Sequence, residues 1–285
     1  MILRRIQVYA SFVRFSHSVF ALPFALAGML LASRYTLVTL SRVGWVIAAM
    51  VAARTAAMGF NRLVDARHDA LNPRTEAREI PRGVISRFQA VMFVAFWSSV
   101  FVAVTSQIST LCLALSPAAL AIAFWYSLAK RYTNYSQLFL GLAMAVAPVG
   151  GWLAAGGRAG WEPWLLGLAI GMWVGGFDVL YACQDVDFDR NQGLRSIPVR
   201  YGVLNSLWIS RGMHVVTIVM LTALAAVTSL GLIYLFGVVV VAALLVYEQS
   251  LVRANDLSRI KQAFDLNGYV GILYLATTAA AIYVG

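Results

Sequence analysis

The sequence predicts an all-α integral membrane protein, a bundle of about nine transmembrane helices with two Asp-rich motifs at its cytoplasmic face. Three observations predict it. Hydrophobic residues make up 61% of the chain and charged residues 12%, with a mean hydropathy of +0.77, a balance that soluble domains of 285 residues do not reach. Apolar stretches of about 17 to 25 residues, the length that crosses a bilayer, recur along the chain. Eight of the twelve carboxylates fall in two short segments, Asp65, Asp69, Glu76 and Glu79 in one and Asp178, Asp185, Asp187 and Asp189 in the other.

The apolar stretches lie at 15–33, 43–60, 88–106, 110–127, 136–155, 162–182, 207–228, 230–249 and 267–284. A short polar interval at Ser106 to Thr110 separates the third from the fourth, and Ser229-Leu230-Gly231 separates the seventh from the eighth. Together they predict a single transmembrane domain over residues 1–285. The N-terminal MILRRIQVYASFVRFSH has early arginines but no small-residue cleavage site, so it is expected to be retained. Cys112 and Cys183 sit in or beside apolar runs and read as packing residues rather than as a disulfide or zinc framework.

Lys and Arg gather in short cytoplasmic loops of membrane proteins. With the N-terminus inside, all of the 22 basic residues except Arg34, Arg42, Arg54 and Arg158 fall on the cytoplasmic side. The formal net charge of +10 is thus a topology signal, and nucleic-acid binding is not expected. An inner-membrane protein with a cytoplasmic N-terminus and a site open to the cytoplasm is the expectation.

The stretch NRLVDARHDALNPRTEAREIPRGVISR, from Asn61 to Arg87, concentrates the chemistry. Asn61, Asp65 and Asp69 are four residues apart and share a helix face if the second helix continues outward. Asn72-Pro73 then ends that helix. The sixth helix repeats the pattern: Tyr181, Asp185 and Asp189 match Asn61, Asp65 and Asp69 at a constant offset of 120, and Arg78-Glu79-Ile80-Pro81 is echoed by Arg195-Ser196-Ile197-Pro198. Both helices run outside to inside, so both acidic ends reach the cytoplasmic face. Asp178 and Tyr181 extend the second stripe inward, Asp187 points off it, and Asn191-Gln192-Gly193 ends it. Arg54, seven residues before Asn61, lies on the same face of the second helix. A charge at membrane depth is costly unless it lines a polar cavity or finds a partner, so Arg54 and Asp178 are site candidates.

Two carboxylate-rich helix ends facing one cavity suit divalent cations. Hard oxygen donors without a His or Cys cluster favour Mg²⁺, which shares its shell with substrate phosphates, so a diphosphate bridging two metals is expected. Arg and Lys around it would stabilise the departing charge, and the membrane setting implies an apolar tail.

NRLVDARHD and DVLYACQDVDFD, set four helices apart, resemble the two aspartate-rich motifs of the UbiA superfamily of intramembrane prenyltransferases, and within it the bacterial 4-hydroxybenzoate polyprenyltransferases. The resemblance covers nearly the whole chain. It implies Mg²⁺-dependent transfer of a polyprenyl group from a polyprenyl diphosphate to an aromatic carboxylic acid in quinone biosynthesis. It assigns Asp65, Asp69, Asp185 and Asp189 to the metals and Asn61 to metal or diphosphate. Asp178 and Tyr181 stand at the start of the second motif. Arg67, Arg74, Arg78, Lys130 and Arg131 become diphosphate candidates, the last two in YSLAKRYT. Arg54 would pair with the acceptor carboxylate and Asp178 would assist orientation or proton removal; a buried Arg54–Asp178 ion pair without a substrate role is the competing reading.

Other residues read more plainly. Arg82 and Arg87 are expected as topology residues, Glu76 and Glu79 as partners of their arginine neighbours, His68 as a solvated loop residue and His214 as structural; His17 is a weak candidate for the site wall. The segments 61–87 and 190–206 are expected as loops able to close over a bound diphosphate. Alternative acceptors are a dihydroxynaphthoate of the menaquinone pathway or, more distantly, a chlorophyll or haem precursor. A secondary transporter or a non-catalytic membrane subunit are the readings from other classes; the first usually shows midplane helix breaks, whereas here the repeat is parallel and the acids crowd one surface.

Overall fold

The computed structural model describes residues 8–13 and 21–284. Residues 8–12 are helical. The remaining helices are α1 (Leu22–Ala32), α2 (Leu40–Asp69), α3 (Arg87–Ile108), α4 (Thr110–Tyr132), α5 (Ser136–Ala154), α6 (Glu162–Ala182), α7 (Val186–Asn191), α8 (Ile197–Thr228), α9 (Gly231–Ser250) and α10 (Ile260–Tyr283), with a 3-10 turn at Cys183–Asp185 between α6 and α7. Among the described residues the one β-type pairing is an isolated bridge between Arg253 and Asp256.

Among the described residues eight helices are long and apolar enough to cross a membrane, and α1 is a shorter apolar helix of 11 residues at the place of the first expected span. Residues 14–20, which include His17 and the rest of that span, lie outside the described residues. The punctuation falls where the polar intervals predict. Ser109 stops α3 with an extended φ of −167° and caps α4 by accepting from the Cys112 amide at 3.1 Å. Ser229 takes the left-handed region (φ 52°) between α8 and α9.

The segment 190–206, expected as a loop, is largely helical. Only a short turn parts α7 from α8, because Ser196 caps α8 through the Val199 amide and Pro198 stands in its first turn. Gly202 then breaks α8 with φ 78° and ψ 165°, a backbone open to glycine, so the first turn of α8 is set off from its long span. The turn is also pinned: the Arg195 amide donates to the Lys130 carbonyl at 2.7 Å and the Ile197 amide to the Gln137 side chain at 3.2 Å. A lid cannot swing from there without breaking these bonds. After α2, which runs unbroken through Asn61 and Asp65 to Asp69, the non-helical segment of 61–87 begins only at Ala70.

Helix α6 is the centre of the bundle, with 67% of its apolar window buried against 11% for α4. It packs between α5 and α8, while α2, α3 and α4 form an adjoining group and α10 closes onto α1. Small residues let backbones touch: a Cβ on Gly28 of α1 would meet the Pro148 carbonyl of α5, and one on Gly141 of α5 would meet the Gly171 carbonyl of α6. Such contacts are how helices associate where lipid supplies no hydrophobic drive. Deep in the core Trp173 of α6 donates to the Asn267 side chain of α10 at 2.7 Å, satisfying an indole that would otherwise be unpaired. Cys183 is buried and Cys112 half-buried, both as free thiols.

At one end of the bundle basic side chains serve helix ends. Arg34 donates to the Thr228 carbonyl at the end of α8, and Arg42 to the Ala155 carbonyl after α5 at 3.2 Å, where a cation meets the negative end of the helix dipole. At the other end lie the two acidic segments.

Candidate active site

The α2 helix ends on the first motif. Its regular geometry stacks Asn61, Asp65 and Asp69 one turn apart, and the Asn61 amide donates to the Asp65 carboxylate at 3.0 Å. Beyond Asp69 the chain folds back. Asn72 accepts from the Arg74 amide at 2.9 Å through its side chain and from the Thr75 amide at 2.9 Å through its carbonyl, an Asx-type turn that directs Arg74 and Arg78 toward the acids.

Each of the four motif aspartates is ion-paired. Arg78 reaches both oxygens of Asp69 at 2.7 and 2.8 Å. Arg74 crosses to the second motif and grips Asp185 through Nη2 at 2.6 Å and Nε at 3.3 Å, a two-point contact, while its Nη1 donates to the Tyr181 hydroxyl at 2.9 Å. From the end of α4, Arg131 donates to Asp65 at 2.9 Å and to the Val64 carbonyl at 2.7 Å, and Lys130 donates to Asp189 at 3.2 Å. Adjacent residues on one helix diverge by about 100°, so Lys130 serves one motif and Arg131 the other. Asp69, Asp185 and Asp189 are buried, whereas the Asp65 side chain keeps 30% of its surface.

Deeper in the bundle, Arg54 and Asp178 are half-buried. No ion pair joins them: Arg54 interacts electrostatically with Tyr126 of α4, and Asp178 with Lys130. Tyr126 stands one turn before Lys130 on the same face of α4 and near Arg54, Asp65 and Asp178, a placement that nothing in the sequence marks.

Some expected residues fall elsewhere. Arg67 is exposed, because two residues after Asp65 is nearly the opposite side of a helix. Arg82 and Arg87 are exposed, and Asp187, 94% exposed, pairs loosely with Arg190 at 3.8 Å. His68, expected as a solvated loop residue, lies in the last turn of α2, half-buried and near Arg131, Asp69 and Asp189, since the helix continues through it. Glu79 takes a hydrogen bond from Ser11 at 2.6 Å and Arg62 is buried, donating to the Phe12 carbonyl at 3.2 Å. Both thus anchor residues 8–13 against α2, α3 and the loop between them.

Among the described residues no three His, Cys, Asp or Glu side chains gather closely enough to form a metal cage. The donors come instead as two pairs of carboxylates with an amide beside one of them. That set fits a hard cation which takes one or two protein carboxylates and completes its shell with water and phosphate, the habit of Mg²⁺, and it does not fit zinc or copper.

Residues 21–275 match the sequence model of the UbiA prenyltransferase family. The chain belongs to that family. This UbiA-family chain is 34% identical over 221 residues to the 4-hydroxybenzoate octaprenyltransferase of Vibrio campbellii, covering 77% of each protein. It is 30% identical over 246 residues to that of Citrobacter koseri, covering 85% of this chain and 84% of the relative. Among solved structures, the apo UbiA homologue from Aeropyrum pernix K1 superposes with a TM-score of 0.85 at 35% identity, over 92% of this chain and 96% of the homologue. A UbiA homologue from Archaeoglobus fulgidus bound to GPP and Mg²⁺ superposes with a TM-score of 0.72 over 96% and 99%; at 18% identity it speaks for the fold alone. The chain is therefore a multi-pass membrane protein of a prenyltransferase family.

Proposed function

We propose that the chain transfers a polyprenyl group from a polyprenyl diphosphate to the ring carbon of 4-hydroxybenzoate ortho to its hydroxyl, in ubiquinone-type quinone biosynthesis and in a Mg²⁺-dependent reaction. One transmembrane domain carries the activity, with the N-terminus and the site facing the cytoplasm; the bias of basic residues supports that orientation. The observation that carries the reading is the set of four aspartate–cation pairs, Asp65–Arg131, Asp69–Arg78, Asp185–Arg74 and Asp189–Lys130, gathered at one end of the bundle. Relatives bearing the 4-hydroxybenzoate octaprenyltransferase name support the choice of acceptor.

Asp65 and Asp69, with Asn61 beside them, and Asp185 and Asp189 would hold the metal. Bound there, Mg²⁺ supplies Lewis-acid neutralisation of the leaving diphosphate. Arg74, Arg78, Lys130 and Arg131 already stand beside the acids. On substrate binding they turn their N–H groups from carboxylate to phosphate oxygens, a short move for long side chains. The allylic C–O bond then breaks with its electron pair going to diphosphate. The ring carbon attacks the resulting cation, and loss of the ring proton restores aromaticity, giving prenylated acid, diphosphate and a proton. Asp178 accepts that proton, directly or through water, and Arg54 with Tyr126 orients the acceptor carboxylate and ring. These half-buried groups among α2, α4 and α6 limit the access of bulk water to the cation.

The test is a product assay on the purified protein with a prenyl diphosphate, Mg²⁺ and either 4-hydroxybenzoate or a dihydroxynaphthoate, read by mass spectrometry. The expected result is a prenylated hydroxybenzoate that disappears in Asp65→Ala and Asp185→Ala proteins that remain folded. Product from the naphthoate alone would overturn the acceptor, and binding without any product would overturn the reaction.

A further inference from the structure

Helix α9 lies more closely on α10 than on α8, and a furrow of about 510 Å³ opens between α8 and α9, away from the aspartate motifs. Its polar end is made by Arg211, Gln249 and Ser250, and its wall by apolar residues such as Val215, Val219 and Val246. The polar end is built rather than incidental: Gln249 donates to Ser210 Oγ at 2.7 Å and meets His214 Nδ1 at 3.1 Å, which fixes its amide.

Arg211 is the charge of the furrow. Among the described residues it forms no ion pair; its guanidinium lies 4.6 Å from the centre of the Trp208 ring. The nearest acid in sequence on α9, Glu248, is buried on another face against Asn267 of α10. Trp208 is 62% exposed, and an exposed tryptophan beside an arginine marks the headgroup level of a bilayer. From Arg211 to Val219 the furrow runs about 12 Å along the helix, into the depth where acyl chains lie.

We propose that this furrow binds one anionic phospholipid, its phosphate held by Arg211 with Ser250 at the rim and one acyl chain laid along the valine wall. A half-buried, unpaired cation above an apolar slot complements an anionic headgroup and tail together, and basic pockets between transmembrane helices recognise such lipids.

Native mass spectrometry of the full chain, delipidated in detergent and titrated with phosphatidylglycerol or phosphatidylcholine, tests it. Wild type retains one phosphatidylglycerol with about fivefold preference over phosphatidylcholine, the ratio expected of one arginine near an anionic lipid. Arg211→Gln loses the preference and Arg253→Gln, a loop substitution outside the furrow, keeps it. Ala242→Trp fills the slot while leaving Arg211 in place, and lowers retention of both lipids. Equal retention of the two lipids by wild type, an Arg211→Gln protein indistinguishable from wild type, or an adduct whose mass is that of a prenyl lipid rather than the added phospholipid would each overturn the proposal.

Discussion

The two acidic segments carry aspartates at the same four-residue spacing on different backbones. In the first, α2 continues without a break through Asn61, Asp65 and Asp69. In the second, the helix tightens into a 3-10 turn at Cys183–Asp185 before α7 resumes. A 3-10 turn winds about 120° per residue against 100° in an α-helix, so three such residues rotate the start of α7 by roughly 60°. Asp189 is consequently turned away from the line a regular helix would give it, and it lies buried against Lys130. The supply of cations differs too. The first motif holds Arg78 from the loop that succeeds it, whereas the second borrows Arg74 from the loop of the first. The second site is therefore built on the first, and the dependence does not run the other way.

Substitution of the acids should bring the two motifs closest together. Asp65→Ala and Asp185→Ala are each expected to lower kcat/KM by about a thousandfold, the loss of several kcal/mol of charge stabilisation at a metal-assisted step; steady-state rates with prenyl diphosphate and Mg²⁺ decide it, and a loss confined to one motif would end the view of a shared diphosphate site. Lys130→Gln comes next. It leaves Asp189, 3% exposed, without its partner, and with Lys130 itself 37% exposed the penalty is expected near 2 kcal/mol, visible as a lower thermal midpoint in detergent. Arg131→Gln should cost less, because the Asp65 side chain it leaves behind is 30% exposed. A double-mutant cycle between Arg74 and Asp185 should give a coupling of about 0.5 to 1 kcal/mol, and Arg74→Gln should leave the Arg78–Asp69 pair intact; a coupling between Arg74 and Asp69 of the same size would show the two motifs to be equivalent after all. Smallest of all, Arg67→Ala should alter kcat/KM by less than about twofold, the usual range for an exposed side chain away from a site.

Much of the fold was readable because membrane helices announce themselves by length and hydropathy, and because Ser109 and Ser229 are residues that stop or cap helices. Harder to read were the places where local chemistry competes with periodicity. Arg78-Glu79-Ile80-Pro81 and Arg195-Ser196-Ile197-Pro198 look alike, yet the first sits in the turns after α2 and the second caps α8, since only the second has a hydroxyl to accept from an amide three residues on. The stripe of aspartates was legible from spacing alone; their partners on α4 were suggested by position at a helix end, but which of Lys130 and Arg131 faces which motif depends on the rotation of α4 against α2 and α6. Tyr126 was invisible for the same reason: an aromatic residue in an apolar helix carries no mark of what it faces until the neighbouring helices are placed.

The four aspartates and four basic residues of the site sum to no net charge. Taking charge into a low-dielectric interior is penalised steeply, and more so as the net charge grows. A divalent cation arriving alone would leave the cluster strongly positive and a diphosphate arriving alone strongly negative, whereas the two together nearly cancel. The balanced cluster thus makes metal and diphosphate each raise the affinity for the other, a reciprocity that binding linkage requires to be equal in both directions and that calorimetric titration of each in the presence of the other would measure.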